Sequence, residues 1–491
     1  MVLLLLYVFG RTMTRRGHRG KCVSFIWIVR FLLQGSLGWI NGFAMNASAH
    51  LSALLRLGIP LIGSFLAGFL VGLTDTIMLG WYSVEALAAA TIAGSFFMTL
   101  QVVGSGFAWA VTSLVAEADA RSDTVQVRRA TRMGMWLSVA FAGAVMPALW
   151  FSEGWLIGLG QTPEVASGAQ TYLRIAGWGL FPALLVRVLA SYLSAVDRAG
   201  LVLWVTLFGA AINVVFNYAL IFGNLGLPEL GIQGAAIASV LVQVAMLVVF
   251  MGYAQRVLPQ YDLFRSLWKI DASALRQVFA LGWPIALTSL AETSLFTAAS
   301  TMMGWLGTDA LAAHGIALQV ATGTFMVHLG LSQATTVRAG NAVGRRDAAG
   351  LILGGKVAVG ASFAFSAATM VVFFSVPDLF VTAFLDPDDP ARDVIIPIGV
   401  SLIYMAALFQ FADGLQVICL GLLRGVQDTR VPMWLAALSY WGLGLPAAYA
   451  LGFVLDFGGV GVWAGLIVGL LGAAVLLVWR FTARRGVYIT A

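Results

Sequence analysis

A chain of 491 residues that is 60% hydrophobic and only 10% charged lacks the charged surface that a soluble fold needs. Apolar stretches of about 20 residues recur, long enough for helices to cross a hydrocarbon core of about 30 Å, and no ten-residue alternation of the barrel type is present. The net charge of +6 is therefore read loop by loop, because Lys and Arg favour the cytoplasmic side, and is no nucleic-acid footprint.

Residues 1–44 come first. Met1–Phe9 is a short apolar run, followed by Arg11, Arg15, Arg16, Arg19 and Lys21, then by a second run at Val23–Leu33. A signal peptide has its basic region first, and here the order is reversed. The expected reading is an extension with a start assigned too early and Met45 as the true beginning; the alternative is a basic, membrane-associated arm.

Twelve apolar spans follow, near 53–80, 87–115, 132–151, 170–192, 200–222, 232–253, 277–303, 310–332, 353–376, 396–422, 432–453 and 459–479. One alternate set of loops carries Arg121, Arg128 and Arg129, then Arg198, Arg256, Arg265 and Lys269, then Arg338, Arg345, Arg346 and Arg430, with Arg484 and Arg485 in the tail. The other set is nearly all acidic: Glu85, Glu153, Glu164, Glu229, Asp309, Asp378, Asp386, Asp388, Asp389, Asp393 and Asp456, with Arg392 its one basic loop residue. The positive-inside rule then puts both ends of the mature chain in the cytoplasm, which an even number of spans also requires. Cys419 lies in an apolar span and Cys22 in the basic stretch, so a disulfide between them is not expected.

The chain repeats itself. An offset of 224, Pro284 minus Pro60, superposes Leu57-Gly58-x-Pro60 on Leu281-Gly282-x-Pro284 and Met78-x-Gly80-Trp81 on Met302-x-Gly304-Trp305. It also matches Ala86-Leu87-Ala88-Ala89 to Ala310-Leu311-Ala312-Ala313, and Arg121-x-Asp123 to Arg345-x-Asp347. Six spans per half give both halves one orientation. The fold class is thus an all-α polytopic membrane protein, twelve transmembrane helices in two six-helix lobes related by a pseudo-two-fold parallel repeat. Transporters of this build place the substrate path between the halves. The expected domains are an N-lobe at 45–253, a cytoplasmic linker at 254–276 and a C-lobe with basic tail at 277–491. Pro60 and Pro284, at equivalent places, each delete a helical hydrogen bond and are candidate hinges, with a fixed kink as the alternative.

Three carboxylates lie inside otherwise uncharged runs: Asp75, Glu292 and Asp413. A charge at the bilayer centre costs about 2.5–3.5 kcal/mol on insertion scales, so groups of this kind mark sites for a proton, a metal cation or a cationic substrate. Under the 224 offset Glu292 falls on Gly68 and Asp75 on Ala299. Each acid exists in one half only, which favours specialised sites over a packing device common to both lobes. Asn213 and Asn217, one turn apart, share a face; with Asp75 they would make an oxygen-rich site for Na⁺ or a proton, or they could merely join helices by hydrogen bonds. Glu292 and Asp413 in one low-dielectric bundle repel, so one should hold a proton or share a cation.

Taken together these residues resemble the multidrug and toxic compound extrusion (MATE) transporters, in the bacterial NorM-type branch. The resemblance rests on Gly72-Leu-Thr-Asp75-Thr-Ile-Met-Leu-Gly80, Asn213-x3-Asn217-Tyr-x-Leu-Ile-Phe-Gly223 and Pro284-x7-Glu292. It rests also on Ala313-His314-x4-Gln319, Val337-Arg-x-Gly-Asn-x-x-Gly-Arg345 and Phe409-Gln-Phe-Ala-Asp413-Gly-Leu-Gln416 running on to Leu423-Arg424-Gly425. It covers about 53–480. It implies a multi-pass protein of the bacterial inner membrane that exports small organic cations by antiport with Na⁺ or H⁺, alternating access between the lobes, as a monomer among lipids with no cofactor and no nucleic-acid partner. The implied cation-coupling and substrate-binding residues are Asp75, Asn213, Asn217, Glu292, Asp413 and Gln319, with Asp75, Glu292 and Asp413 as Na⁺ ligands if sodium is the coupling ion. Two positions depart from relatives: Phe409 stands where some have Tyr, which removes a possible oxygen ligand near Asp413, and Gln319 stands where many have Asn. His314 and His328 are read as buried hydrogen-bonders rather than proton relays. A lipid-precursor flippase of related fold is the rival. It should carry several intramembrane basic residues, for which Arg174 and Arg187 are the candidates. No His-Glu-x-x-His, P-loop or Cys-x-x-Cys is present, so metalloprotease, ATPase and redox readings lack their residues.

Overall fold

In a computed structural model the protein is described over residues 40–386, 390–484 and 486–490. Most of the N-terminal arm, together with Cys22, Asp388, Asp389 and Arg485, lies outside the described residues. Leu51–Ala491 forms one compact unit. Among the described residues, twelve helices are long and apolar enough to cross a membrane. They are α1 (Ile40–Tyr82), α2 (Val84–Ala120), α3 (Thr124–Trp150), α4 (Pro163–Ala195), α5 (Ala199–Ile221), α6 (Gly231–Val257), α7 (Ala272–Trp305), α8 (Thr308–Gly344), α9 (Ala348–Ser375), α10 (Arg392–Gly425), α11 (Arg430–Val454) and α12 (Gly458–Arg484).

The twelve spans read from hydropathy are all helical, but several helices outrun them. The largest C-terminal excess is in α8, which continues to Gly344 rather than ending near 332. Gln333, Arg338 and Asn341 make that last stretch too polar for a hydropathy reading. It nevertheless packs on α2, where Gly340 and Gly344 face Ser113, Ala116 and Glu117. Alpha-helical geometry also breaks inside α11, where Leu438–Gly444 and Ala450–Val454 adopt wide π turns. Nothing in the apolar pattern marks them.

The repeat is legible in the backbone. Ala120 and Gly344 end α2 and α8, and Thr124 and Ala348 begin α3 and α9, each pair 224 positions apart. Between them Ser122 and Arg346 take left-handed backbone at φ 59° and 57°, a conformation that costs an L-residue roughly 1–2 kcal/mol and reverses the chain tightly. Asp123 and Asp347 then cap the next helix, accepting from the amides of Gln126 (2.9 Å) and Gly350 (2.7 Å). Such caps contribute about 1 kcal/mol each.

The lobes meet along the half nearest the basic loops. A single apolar cluster there runs from Leu57, Phe107 and Val111 through Val278 and Ile285 to Leu331, Val337 and Ile418. Glycines allow the approach: a Cβ on Gly106 would lie 2.6 Å from the Gly282 carbonyl, and one on Gly344 would lie 2.5 Å from that of Glu117. Nearer the acidic loops each lobe keeps its own cluster, around Leu173, Leu180 and Leu184 on one side and Leu295, Met303 and Ile403 on the other. Polar contacts reinforce the junction, with Gln333 Nε2 donating to Thr112 Oγ1 at 2.9 Å and Gln427 Nε2 to Glu117.

The segment joining α6 to α7 is tied to the N-lobe rather than hanging free. Arg132 donates to the Ser266 and Lys269 carbonyls, Trp136 Nε1 to the Leu267 carbonyl (2.8 Å), and Tyr261 to Asp119 Oδ1 (2.5 Å). Arg129 Nε donates to Asp271 Oδ2 at 2.5 Å. That guanidinium, with the amide of Ala274 and Ser273, holds the Asp271 carboxyl well below the usual carboxylate range.

Candidate functional site: two acidic centres, one in each lobe

Asp75 on α1 is met by side chains from two further helices. Asn213 Nδ2 (3.0 Å) and Asn217 Nδ2 (2.5 Å), both fully buried on α5, donate to the same oxygen, Oδ1. Ser239 on α6 reaches Oδ2 at 3.5 Å, at the edge of hydrogen-bonding distance. Asn217 also donates to Asn213 Oδ1 at 3.3 Å, so the one-turn spacing on α5 makes a fixed two-amide cradle. Asn217 Oδ1 is buried and has no hydrogen-bond partner among the described residues. Tyr172 of α4 faces the same pair, Ser239 and Asp75. The centre thus offers one carboxylate, two amide oxygens and two hydroxyls within the N-lobe.

The second centre is assembled by α7, α10 and α11. Trp441 Nε1 donates to the Ala291 carbonyl at 3.3 Å, which fastens α11 to α7 one residue before Glu292. Gln416, one turn beyond Asp413 on α10, donates through Nε2 to the Tyr440 hydroxyl at 2.5 Å. Glu292, Asp413 and Tyr440 act on one another electrostatically. Oε1 of Glu292, Oδ1 of Asp413 and Oε1 of Gln416 are buried without a hydrogen-bond partner among the described residues. Buried acceptors of this kind carry a desolvation cost of about 1–3 kcal/mol each, which a proton or cation would offset.

Packing explains why α10 holds its polar groups at fixed angles. Gly414, Gly421 and Gly425 press against α8 and α9, where a Cβ would come within 2.7 Å of His328 and Ser362, 2.5 Å of Ser332 and 2.5 Å of Ala339. Ser332 Oγ donates to the Val417 carbonyl (2.6 Å) and Thr336 Oγ1 to that of Gly421 (3.0 Å). Small residues and such bonds are the usual means of joining helices in lipid. Asp413 stays inside the lobe as a result, 3% exposed.

The six sequence-derived site residues divide. Asp75, Asn213 and Asn217 come together, and Glu292 and Asp413 come together in the other lobe. Gln319 on α8 makes no hydrogen bond with either group among the described residues. The asymmetry of the repeat is physical: a Cβ on Gly68, the counterpart of Glu292, would meet nothing within 4 Å, whereas Ala299, the counterpart of Asp75, is 1% exposed. Phe409 contributes no oxygen and packs edge-on against Phe296 (5.9 Å) and Trp463 (5.6 Å). A hydroxyl on a different helix, that of Tyr440, accepts from Gln416.

Residues that sequence reasoning left without a polar role here are Tyr172, Ser239, Gln416, Tyr440 and Arg424. Gln416 and Arg424 stood in the quoted motifs. Ser239 and Tyr172 gave no signal, since a lone Ser or Tyr in an apolar helix is ordinary. His314 and His328 are buried hydrogen-bonders, as expected: His314 sits between Trp463 Nε1 (3.1 Å) and Ser300 Oγ (3.0 Å), His328 between Ser362 (2.9 Å) and Ser366 (3.3 Å). Pro60 and Pro284 lie within continuous helices.

The model of the MatE family matches residues 60–219 and 284–450. The chain belongs to the MatE family. The two matched segments begin 224 residues apart, at Pro60 and Pro284, the same offset as the internal repeat. Among its relatives, this MatE protein is 44% identical over 434 residues to a probable multidrug resistance protein NorM of Rhizobium meliloti (strain 1021), covering 88% of the chain and 93% of the relative. It is 43% identical over 435 residues to the protein of the same name from Agrobacterium fabrum, covering 88% and 94%. Among solved structures it resembles an outward-facing conformation of a multidrug resistance MATE family transporter, with a TM-score of 0.82, 19% identity, and 89% and 96% of the two chains covered. It also resembles a eukaryotic MATE transporter, with a TM-score of 0.79, 18% identity, and 90% and 99% covered. This MatE protein is a multi-pass membrane transporter and not an enzyme.

Proposed function

We propose that this MatE protein exports small organic cations across a bacterial inner membrane in exchange for Na⁺ or H⁺. Its NorM relatives are named as probable multidrug resistance proteins, and that role comes to this chain as part of the proposal. The observation that carries it is the Glu292–Asp413 pair, in which Oε1 of Glu292 and Oδ1 of Asp413 are buried without a hydrogen-bond partner among the described residues. A positive guest is what such a pair lacks. Two carboxylates that share one low-dielectric site resist being ionised together, so an organic cation and a coupling ion compete for one negative charge. Competition for a shared site is antiport in its simplest form.

Asp75 with Asn213, Asn217, Ser239 and Tyr172 is the second coupling centre in this scheme. Its oxygens suit a hard cation, or a proton on Oδ2. Pro60 and Pro284 are proposed to let α1 and α7 bend as the lobes rock. The basic loops face the cytoplasm, with both termini on that side, and a monomer surrounded by lipid suffices because each lobe carries its own centre. The acidic character of both centres speaks against a pyrophosphate-linked lipid cargo.

Efflux from proteoliposomes, with the Na⁺ and proton gradients collapsed one at a time, tests the class and the ion together. Efflux that survives loss of one gradient and stops with the other identifies the coupling ion. Gradient-driven efflux retained in both Glu292→Gln and Asp413→Asn would overturn the assignment of the C-lobe centre.

A further inference from the structure

Arg174 on α4 is a basic residue that the export reading leaves unused, and it stands at the acidic-loop end of the N-lobe. Its Nε donates to the Trp150 carbonyl at 2.9 Å, one of the last carbonyls of α3, which lack partners inside their own helix. Its guanidinium carbon lies 5.7 Å from the Trp150 ring centroid. A guanidinium has five N–H donors, yet among the described residues Arg174 makes this one hydrogen bond and no ion pair within 4.0 Å. Glu153, just beyond α3, is taken by Gln170 Nε2 at 2.8 Å. Beside the guanidinium a groove of about 290 Å³ runs between Ile175 and Trp178 of α4 and Ile237, Val240 and Leu241 of α6. It opens on the outside of the lobe. Ser239 reaches inward to Asp75, and Tyr172 packs into the cluster around Met78 and Ile221. At 100° per residue, Ile237 and Leu241 lie on the opposite face of α6 from Ser239, and Arg174 and Trp178 on the opposite face of α4 from Tyr172.

We propose that this groove binds one anionic phospholipid of the leaflet at the acidic-loop end, its phosphate on Arg174 and an acyl chain laid between Trp178 and Leu241. The charge of Arg174 has no acid to answer it, and a phosphate diester accepts from the guanidinium fork in the geometry that suits it best. The fork is held ready, because the Trp150 carbonyl and the Trp150 ring fix it from one side. A zwitterionic lipid carries its own ammonium beside the phosphate and so gains less from Arg174. The groove beside the cation is apolar, which suits a chain continuous with the headgroup and leaves a free anion with nothing to fill it. Trp178 is 58% exposed and Trp150 39%, and exposed indoles of this kind sit at the headgroup level of a bilayer. The groove has a fixed shape. Gly177 brings α4 close to α3, where a Cβ would lie 3.0 Å from Met146 Sδ, and Gly179 brings it close to α6, where a Cβ would lie 3.0 Å from Val240 Cγ2. A lipid seated there joins α3, α4 and α6 and stabilises the N-lobe from outside.

The test uses the full chain in detergent, titrated with dioleoyl phosphatidylglycerol and read by native mass spectrometry as lipid-bound protein. Dioleoyl phosphatidylcholine, dioleoylglycerol and inorganic phosphate are titrated alongside. One phosphatidylglycerol per chain is expected to bind more tightly than the phosphatidylcholine, with dioleoylglycerol weaker still and inorganic phosphate unable to displace the lipid. Arg174→Gln is expected to weaken phosphatidylglycerol about tenfold, to the level of phosphatidylcholine, and Arg174→Lys to fall between. Arg392→Gln, which removes a basic loop residue on the same side, is expected to leave that binding unchanged. Equal affinity for phosphatidylglycerol in the unsubstituted protein and in Arg174→Gln overturns the proposal, and makes Arg174 only a cap for the end of α3. Loss of equal size in Arg392→Gln overturns it too, since the attraction is then diffuse charge. Displacement of the lipid by inorganic phosphate means a free-anion site and is equally fatal. Should Arg174→Gln not fold, Ile237→Trp serves: it fills the groove while Arg174 stays, and it must lower the affinity for phosphatidylglycerol. None of these readouts depends on efflux, so this proposal and the export reading fall separately.

Discussion

Gln416 Nε2 and the Tyr440 hydroxyl are 2.5 Å apart, and this bond joins α11 to α10 one turn beyond Asp413. Tyr440 lies in the wide turn over Leu438–Gly444, and its ring is fully buried. Tyr440→Phe would take the hydroxyl partner away from Gln416 Nε2. The expected loss is about 1–3 kcal/mol of stability, read as a lower melting temperature in detergent, together with a several-fold weaker dependence of efflux on the coupling ion. Unchanged melting would show that the bond contributes nothing.

Asn217 makes the shorter of the two bonds to Asp75 Oδ1 and also braces Asn213. Asn217→Ala should therefore weaken coupling more than Asn213→Ala, read as a larger rise in the ion concentration for half-maximal efflux. In an Asp75→Asn background both substitutions should lose most of their effect, because residues of one network are not additive. Full additivity would separate the asparagines from Asp75.

The His314 bonds have a fixed direction. Trp463 donates to Nδ1, and Ser300 donates to the Phe296 carbonyl at 3.0 Å, so Ser300 is free to accept from Nε2. The ring is neutral with its proton on Nε2, and an added proton on Nδ1 would face the indole N–H. Trp463→Phe should cost about 1–3 kcal/mol by stranding Nδ1, and should leave the pH profile of efflux in place. A shifted profile would give His314 a place in proton transfer.

Gly344 sets how closely α8 approaches α2. A Cβ there would meet backbone, the Glu117 carbonyl, and the Ala120 Cβ at 2.8 Å. Backbone cannot swing aside as a side chain can, so Gly344→Val should act as a wedge. The expected outcome is a folded protein whose lobes stand further apart at the basic-loop end, with cysteines placed at Thr112 or Ser113 becoming reactive to a water-soluble thiol reagent. Both are buried in the closed form. Continued protection would show that the junction yields elsewhere.

The Asp271–Arg129 pair predicts an acid-resistant linker. Asp271 has a depressed carboxyl, so its contribution is complete above the ordinary carboxylate range and is lost only as pH falls through the lower folded value. Limited proteolysis across 258–271 should therefore proceed at the same rate from neutral pH down to about pH 5, while Asp271→Ala should be cut faster throughout. Acid-accelerated cutting of the unsubstituted protein in that window would contradict the pairing.

Much of this could be read from the chain alone because lipid imposes its demands locally. A helix must satisfy its own backbone in hydrocarbon, so hydropathy is enough to count twelve spans, and the 224 offset is enough to pair them. Asp75, Glu292 and Asp413 stand out because charge in such spans is expensive wherever the helix is placed. What hydropathy missed is what makes contact at a distance. The polar end of α8, the folded linker and the π turns of α11 depend on partners far away in sequence.

The composition, the repeat and the three isolated acids determined on their own that this is a two-lobed carrier with negative charge in its interior, since each follows from the cost of placing single residues in oil. Only the tertiary structure decided that both asparagines donate to one oxygen of Asp75, that Tyr440 of α11 accepts from Gln416 beside Asp413, and that Arg424 lies over Trp109 of the other lobe. These are relations between helices, set by glycine-permitted approaches and side-chain angles, and neither spacing nor composition within one helix encodes them.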